Sequence, residues 1–186
     1  MSGLYLDTLD DDRKRVFLKF DLFLHEPLNP NLLRFAHQVL GPGCNLTLNQ
    51  ESQINLRTPE SVSVTFFYEV FPPLFPLVKT NVIDLMDLRD LASNKAATIG
   101  FRGKWRDYVD AYFLLKEKKT TLAEMISVSE KRRETEFSAR LFLQQFVYFE
   151  DINNYRIEFV NDPVDPQEIK KYLENTVKEY LHCSVL

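Results

Sequence analysis

The sequence has 186 residues, of which 45% are hydrophobic and 13% aromatic, and its formal net charge is −4 at pH 7. A chain of this size can bury roughly 70% of its unfolded surface, so the composition predicts a packed globular protein and excludes a disordered segment. The negative charge argues against a scaffold that binds nucleic acid through a broad basic field. A local basic patch stays compatible with it.

Membrane and export signals are missing from the sequence. It contains no apolar run of 18 residues or more, so no membrane span is expected. Residues 1–12 are acidic and lack an apolar signal core, so we expect a cytoplasmic protein. Cys44 and Cys183 lack the spacing of metal ligands and are predicted to be free thiols in a reducing compartment.

The first part of the chain, residues 1–83, is predicted to be α+β. Alternating apolar residues and β-branched or aromatic runs indicate strands, while an Asn-Pro pair and a glycine indicate the ends of a helix. The segment FPPLFP, residues 71–76, excludes regular structure. The predicted elements are a helix at about 9–18, a strand at 19–24, a helix from Asn29 to Gly41, short strands in NLTLN and QINLR, and a central strand at 61–70.

The second part, residues 84–186, is predicted to be helical. Asp87 with Asp90, and Thr121 with Glu124, have the spacing of capping boxes, and Gly103 separates two helices. No Gly/Ser-rich linker divides the chain, so we expect a small mixed β-sheet with flanking helices to pack on a C-terminal helical bundle. The predicted helices span about 88–101, 104–118, 122–132, 135–149 and 166–182.

Lys95 stands out within the first of these helices. It falls on a stripe with four-and-three spacing that is otherwise largely apolar and should therefore face a core. An ammonium group in such a stripe is costly, so it must extend to solvent, find a carboxylate or face a cleft. Arg102 lies two turns further along and would add a second cation for a phosphate ligand. The stripe consists of Leu88, Ala92, Lys95, Ile99 and Arg102, with Leu91 beside it.

The following helix presents two faces. One is aromatic and apolar and is predicted to be buried; it consists of Trp105, Tyr108, Val109, Tyr112 and Phe113. On the other face Asp107 and Asp110 lie one turn apart. They form either a solvated acidic edge, with Arg106 paired to Asp110, or part of a site.

Asp21, in KFDLFL, is the remaining candidate and needs a partner, a metal ion or a strand end. Metal-dependent phosphoryl transfer requires converging carboxylates. Lys19, on the same strand face, has the wrong charge, and nothing in the sequence places Glu69 beside Asp21. His25, His37 and His182 are isolated, and no glycine-rich phosphate loop occurs.

The segment DLRDLASNKAATIGFRGKWRDYVDAYFLL resembles the family of AbiEii-type nucleotidyltransferase-like toxins of bacterial abortive-infection and toxin–antitoxin systems. The resemblance covers roughly residues 55–182 and is specific in 87–115. It implies a polymerase-β-like nucleotidyltransferase fold with a helical C-terminal lobe. The matching positions are Asp90, Lys95, Ala96 or Ala97, Arg102-Gly103 and Arg106-Asp107-Tyr108-Val109-Asp110.

On this resemblance Lys95 faces a nucleotide cleft with Asp107 and Asp110 near it, and Lys95 and Arg102 bind the nucleotide. The catalytic candidates that it implies are Asp21, Lys95, Asp107 and Asp110. Asp21 corresponds to the second aspartate of the pair that holds magnesium. The family's Gly-Gly-Ser/Thr turn and its first metal aspartate have no counterpart, which implies that about 25 residues are missing.

The resemblance therefore implies a protein that binds a nucleotide or RNA and whose transfer chemistry is impaired. Mg²⁺ and a nucleoside triphosphate would be its cofactors if it is active. The alternative is a non-enzymatic remnant that acts through protein–protein contact, for example with an antitoxin-like partner.

Overall fold

The computed structural model describes residues 3–5, 19–81, 83–155, 157, 159 and 163–184. The chain forms two compact units. The first, here called the sheet unit, comprises Met1–Pro72 and Pro76–Met86. The second, the helical unit, comprises Pro73–Phe75 and Asp87–Leu186. The helix predicted at 9–18 lies outside the described residues.

The sheet unit contains a mixed six-stranded sheet and one helix, which confirms the predicted α+β class. The strand order is β3-β4-β5-β2-β1-β6. Strands β2 and β5 are parallel, as are β1 and β6, whereas the other neighbours are antiparallel. The elements are β1 (Gly3–Tyr5), β2 (Lys19–Leu24), α1 (Leu32–Leu40), β3 (Asn45–Gln50), β4 (Gln53–Arg57), β5 (Ser63–Tyr68) and β6 (Asp84–Leu85).

The strand predictions are confirmed. NLTLN and QINLR form the β3–β4 hairpin, and β5 lies inside the sheet between β4 and β2, as its β-branched and aromatic residues predict. One face of these strands packs against α1, because alternate side chains of a strand point to the same side. The core residues of this unit are Ala36, Ile54, Leu56 and Val64.

The N-cap of helix α1 lies two residues later than predicted. Asn31 is the N-cap residue, and the Asn29 side chain instead accepts a hydrogen bond from the Asn31 backbone N–H at 2.8 Å. Gly41 ends the helix as predicted, and its φ of 92° is a conformation that favours glycine. Cys44, which is buried, and Cys183, which is exposed, both carry free thiols.

The helical unit contains five α-helices among the described residues. They are α2 (Leu88–Arg102), α3 (Trp105–Lys116), α4 (Leu122–Arg133), α5 (Ala139–Phe146) and α6 (Pro166–Ser184). Thr121 caps α4 as predicted, because its Oγ1 accepts a hydrogen bond from the Glu124 N–H at 3.1 Å. No helix in the described ranges is both long and apolar enough to cross a lipid bilayer.

Three details of these helices differ from the predictions. Asp87 caps α2 alone, accepting from the Arg89 N–H at 2.9 Å, and Asp90 takes no part in a capping box because its carboxylate turns elsewhere. The helix predicted at 135–149 is shorter, since a 3₁₀ turn precedes Ser138, which caps α5. Leu88 is 43% exposed and does not belong to the core.

The aromatic face of α3 fills the core of the helical unit. Trp105, Tyr108, Val109 and Tyr112 are at most 5% exposed, and Phe113 packs against their cluster from the edge. The Trp105 ring lies edge-on to Tyr155 with centroids 4.9 Å apart. The predicted buried face is therefore confirmed.

We predict that Trp105→Ala lowers the free energy of unfolding by about 3–5 kcal/mol, because the truncation leaves a cavity in the core. Urea denaturation measures the loss. The matched control is Phe101→Ala, since Phe101 is 87% exposed and its truncation should change stability by less than about 0.5 kcal/mol. Equal losses in the two variants would contradict the assignment of the core face.

Candidate functional site

The Lys95 ammonium is enclosed between two helices and two carboxylates. Lys95 lies in the middle of α2, and Asp107 and Asp110 lie one turn apart on α3. The Lys95 Nζ is 3.2 Å from Asp107 Oδ1 and also contacts Asp110 Oδ2. The side chains of the three residues are 12%, 8% and 18% exposed. We call these three residues the Lys95 cluster.

Lys95 stays protonated although the cluster is poorly solvated. Burial lowers the pKa of Lys95, but the carboxylates of Asp110 and Asp107 outweigh burial and raise it above the usual lysine value. The stabilisation from the charged lysine is therefore complete below the ordinary lysine pKa and is lost as pH rises through the higher folded value. With one ammonium and two carboxylates, the cluster carries a net charge of −1.

The sequence left three alternatives for the Lys95 ammonium, namely solvent, a carboxylate partner or a cleft. The structure shows carboxylate partners, because Asp107 and Asp110 both contact the ammonium. The acidic face of α3 is not a solvated edge, because Asp107 is buried and Asp110 is half-buried against the lysine. Arg106 is exposed. Arg102 is also exposed in the last turn of α2, away from the enclosed part of the stripe.

The turn between α2 and α3 fixes the geometry of the cluster. Asp107 Oδ2 accepts a hydrogen bond from the Lys104 N–H at 3.4 Å, so one carboxylate caps α3 and binds Lys95. Gly103 is required because an added Cβ would lie 2.5 Å from the Tyr108 hydroxyl oxygen. That hydroxyl donates to the Gln145 carbonyl at 3.0 Å, and burial raises the pKa of Tyr108 to about 12.

Asp21 belongs to the sheet unit and has a different environment. It is half-buried on β2 with Tyr5 of β1 and Thr65 of β5 opposite it in register. Glu69 follows β5 four residues beyond Thr65, roughly 13 Å away along the strand direction. Its Oε1 accepts a hydrogen bond from the Phe71 N–H at 3.1 Å.

These residues do not fit a magnesium site of the paired-carboxylate kind. Mg²⁺ needs near-octahedral oxygen ligands, and the register puts a threonine beside Asp21 where a second carboxylate would be needed. Within the described ranges, no group of three or more His, Cys, Asp or Glu residues could hold a metal ion. The metal role of Asp21 therefore stays a prediction.

A second buried network in the helical unit was missed by the sequence analysis. Asp90 is fully buried, and its two carboxylate oxygens accept hydrogen bonds from the Leu74 and Phe75 N–H groups, each at 2.9 Å. The Arg89 guanidinium lies 3.5 Å from the centroid of the Phe75 ring. The network thus ties the residues 73–75 to α2.

Arg132 completes this network from α4. Its Nη1 donates to the Asp90 carbonyl at 3.0 Å, to Ser93 Oγ at 3.2 Å and to Asn94 Oδ1 at 2.9 Å. Arg132 Nε is 3.7 Å from Asp90 Oδ1. The sequence offered one signal for this network. The segment FPPLFP has no polar side chains and no regular structure, so its backbone N–H groups need acceptors from elsewhere in the chain.

Comparison with known proteins gives one relative by sequence. The chain is 30% identical over 127 residues to "Uncharacterized protein aq_aa25" of Aquifex aeolicus (strain VF5). The match covers 66% of this chain and 59% of the relative, so the chain spans less than two thirds of that protein. No family model matches the chain.

Two solved structures from Helicobacter pylori are similar. JHP933 has a TM-score of 0.50 at 15% identity, and the alignment covers 99% of this chain and 88% of JHP933, which indicates a common fold. The second is a candidate nucleotidyltransferase with a TM-score of 0.48 at 17% identity, covering 87% of this chain and 76% of that protein.

We predict that Lys95→Met lowers the free energy of unfolding by about 3–5 kcal/mol at pH 8, because it leaves two enclosed carboxylates without their cation. Asp110→Asn should cost less, since Lys95 keeps Asp107 as a partner. The loss in Lys95→Met should shrink as pH rises through the raised pKa of Lys95, because the parent chain then loses the same ammonium charge. Urea denaturation at pH 8 and at increasingly alkaline pH measures these effects.

The control is Lys116→Met, because Lys116 also lies on α3 and pairs with Glu168 at 2.8 Å, but its side chain is 48% exposed. This exposed pair should contribute far less to stability than the enclosed one. A Lys95→Met protein as stable as the parent, or a loss that does not depend on pH, would contradict the role assigned to Lys95.

Proposed function

We propose that this chain is a nucleotidyltransferase-like protein that binds a nucleotide or RNA and has little or no transfer activity. The observation that carries the proposal is the Lys95 cluster, whose three residues fall within 87–115, where the sequence resembles the AbiEii-type family most specifically. The fold in common with JHP933 extends along almost the whole chain and is consistent with the proposal.

The charge of the cluster changes the role that we assign to Lys95. Its ammonium is already neutralised by Asp107 and Asp110, so it is poorly suited to act as a point charge for phosphate. We assign it the role of a positioning residue that holds the two carboxylates. Asp110 is the most exposed of the three and offers a hydrogen-bond acceptor to the sugar hydroxyls or the base amino groups of a nucleotide.

Impaired transfer follows from the surroundings of Asp21. Transfer of a nucleotidyl group requires the phosphates and the nucleophile to be held and their charge to be neutralised. Asp21 has Thr65 rather than a carboxylate opposite it, and the sequence contains no Gly-Gly pair that could form the family's phosphate-binding turn. We therefore propose that binding is retained and that catalysis is weak or lost.

A second candidate is a non-enzymatic protein that binds an antitoxin-like partner. The observation that favours it is the apolar surface of α1, where Phe35 is 54% exposed and Val39 is 83% exposed. Contiguous apolar patches on a soluble protein mark interaction sites more often than isolated apolar residues do. This candidate predicts no nucleotide response.

A thermal-shift experiment with the four nucleoside triphosphates, with and without Mg²⁺, tests the first candidate. A nucleotide at ten times its Kd should stabilise the chain by about 1.4 kcal/mol and raise Tm by roughly 3–5 °C. Asp110→Asn should lose most of this shift, whereas Glu150→Gln, an exposed carboxylate, should keep it. The absence of any shift in the parent chain would favour the partner-binding candidate.

A transfer assay tests the second half of the proposal. Incorporation of labelled nucleotide into RNA or protein should stay at background with each nucleoside triphosphate and magnesium, because Thr65 and not a carboxylate lies opposite Asp21 on β5. Robust incorporation that disappears in Asp21→Ala, but not in the exposed control Glu51→Ala, would show that the site is complete and that catalysis survives.

A further inference from the structure

A cavity of about 370 Å³ lies in the helical unit beside the first residues of α3. The polar residues that line it are Lys104 and Arg106 at the start of α3 and Asp151, Asn153 and Asn154 beyond α5. Trp105 and Ile152, both buried, contribute apolar surface. The volume is within the range of about 300–1,000 Å³ that is typical of small-ligand sites.

The charges in this cavity differ from those of the rest of the chain. Lys104 and Arg106 bring two positive charges, and within the described part of the chain neither side chain makes an ion pair. Asp151 brings one negative charge, and its carboxylate accepts a hydrogen bond from Gln145 Nε2 at 3.0 Å. The described residues that line the cavity therefore carry a net charge of +1, in a chain whose net charge is −4.

We infer that this cavity binds a phosphate group of a ribonucleotide, carried either by a free mononucleotide or by an RNA strand. The Arg106 guanidinium offers a fork of N–H donors that matches two phosphate oxygens, and Lys104 offers a point charge. The Asn153 amide, which also lines the cavity, adds neutral donors. Asp151 repels phosphate and is suited instead to accept from a sugar hydroxyl or a base amino group.

The cavity is connected to the Lys95 cluster through Asp107. One oxygen of this carboxylate contacts Lys95, and the other accepts from the backbone N–H of Lys104, which lines the cavity. The two sites have opposite charge and so select different parts of a ligand. The inference rests on the proposed function, because the ligand is the same nucleotide or RNA, and it adds a phosphate contact separate from the contact proposed for Asp110.

The test compares adenosine 5′-monophosphate with adenosine, and then a fluorescein-labelled single-stranded RNA, all with the full chain in metal-free buffer. Titration calorimetry and fluorescence anisotropy give the affinities. The parent chain should bind the monophosphate and the RNA, and adenosine more weakly. Lys104→Ser combined with Arg106→Ser should reduce the affinity for the phosphate-bearing ligands at least about tenfold, because two charge-assisted hydrogen bonds are lost.

The matched control is Lys118→Ser combined with Lys119→Ser. These exposed lysines lie just beyond the other end of α3, and their replacement removes the same charge. It should change the affinity by less than about twofold, because a 12-residue helix is roughly 18 Å long and exceeds the screening length. Both double variants replace exposed side chains, so circular dichroism should show an unchanged fold.

The outcomes separate the sources of the phosphate and the two proposed sites. Displacement of the RNA by the monophosphate supports a mononucleotide site, and failure to displace it supports a strand site. Either conclusion requires that the double variant at Lys104 and Arg106 binds the phosphate-bearing ligand more weakly than the parent chain. Asp110→Asn should lower the affinities for adenosine and for the monophosphate by the same factor, so the ratio of the two affinities should stay as in the parent chain, whereas the Lys104 and Arg106 variant should reduce that ratio. Equal losses in the cavity variant and the lysine control, or no binding by the parent chain, would overturn the inference.

Discussion

The enclosed charge of Lys95 is the constraint on which the arrangement of α2 and α3 depends. An ammonium that has left water must be compensated by carboxylates held at the correct distance. Asp107 and Asp110 meet this requirement only because the turn at Gly103 brings the start of α3 back along α2. Helix α3 is thereby buried on two faces, with aromatic rings packed on one and the Lys95 cluster on the other.

A second charged network stabilises the first turn of α2. Asp90 and Arg132, both buried, join α2 to α4 and bind the backbone of residues 74 and 75. Two networks of enclosed charges on one 15-residue helix make its position hard to change, because each displacement would leave a buried group without its hydrogen bonds. A rigid α2 is a suitable base for a binding site.

The local distribution of charge matters more for function than the overall value. The net charge of −4 describes neither the Lys95 cluster, with its excess of carboxylate, nor the cavity beside α3, with its excess of cation. A nucleotide carries both hydrogen-bond donors and an anionic phosphate, so two neighbouring sites of opposite charge fit its two ends. The proposed binding of a nucleotide or RNA therefore does not depend on a complete metal site.

The sequence alone determined the α+β class, the internal strand β5, the glycine turn and the buried aromatic face of α3. Local periodicity and turn chemistry set these features, and both are properties of neighbouring residues. It also identified Lys95 as anomalous, but it left open whether the ammonium extends to solvent, pairs with a carboxylate or faces a cleft. Only the tertiary structure decided that Asp107 and Asp110 enclose the lysine, that Asp90 binds a distant backbone segment and that Thr65 faces Asp21. Helix packing and strand register bring together residues far apart in the chain, and no local pattern specifies those pairings.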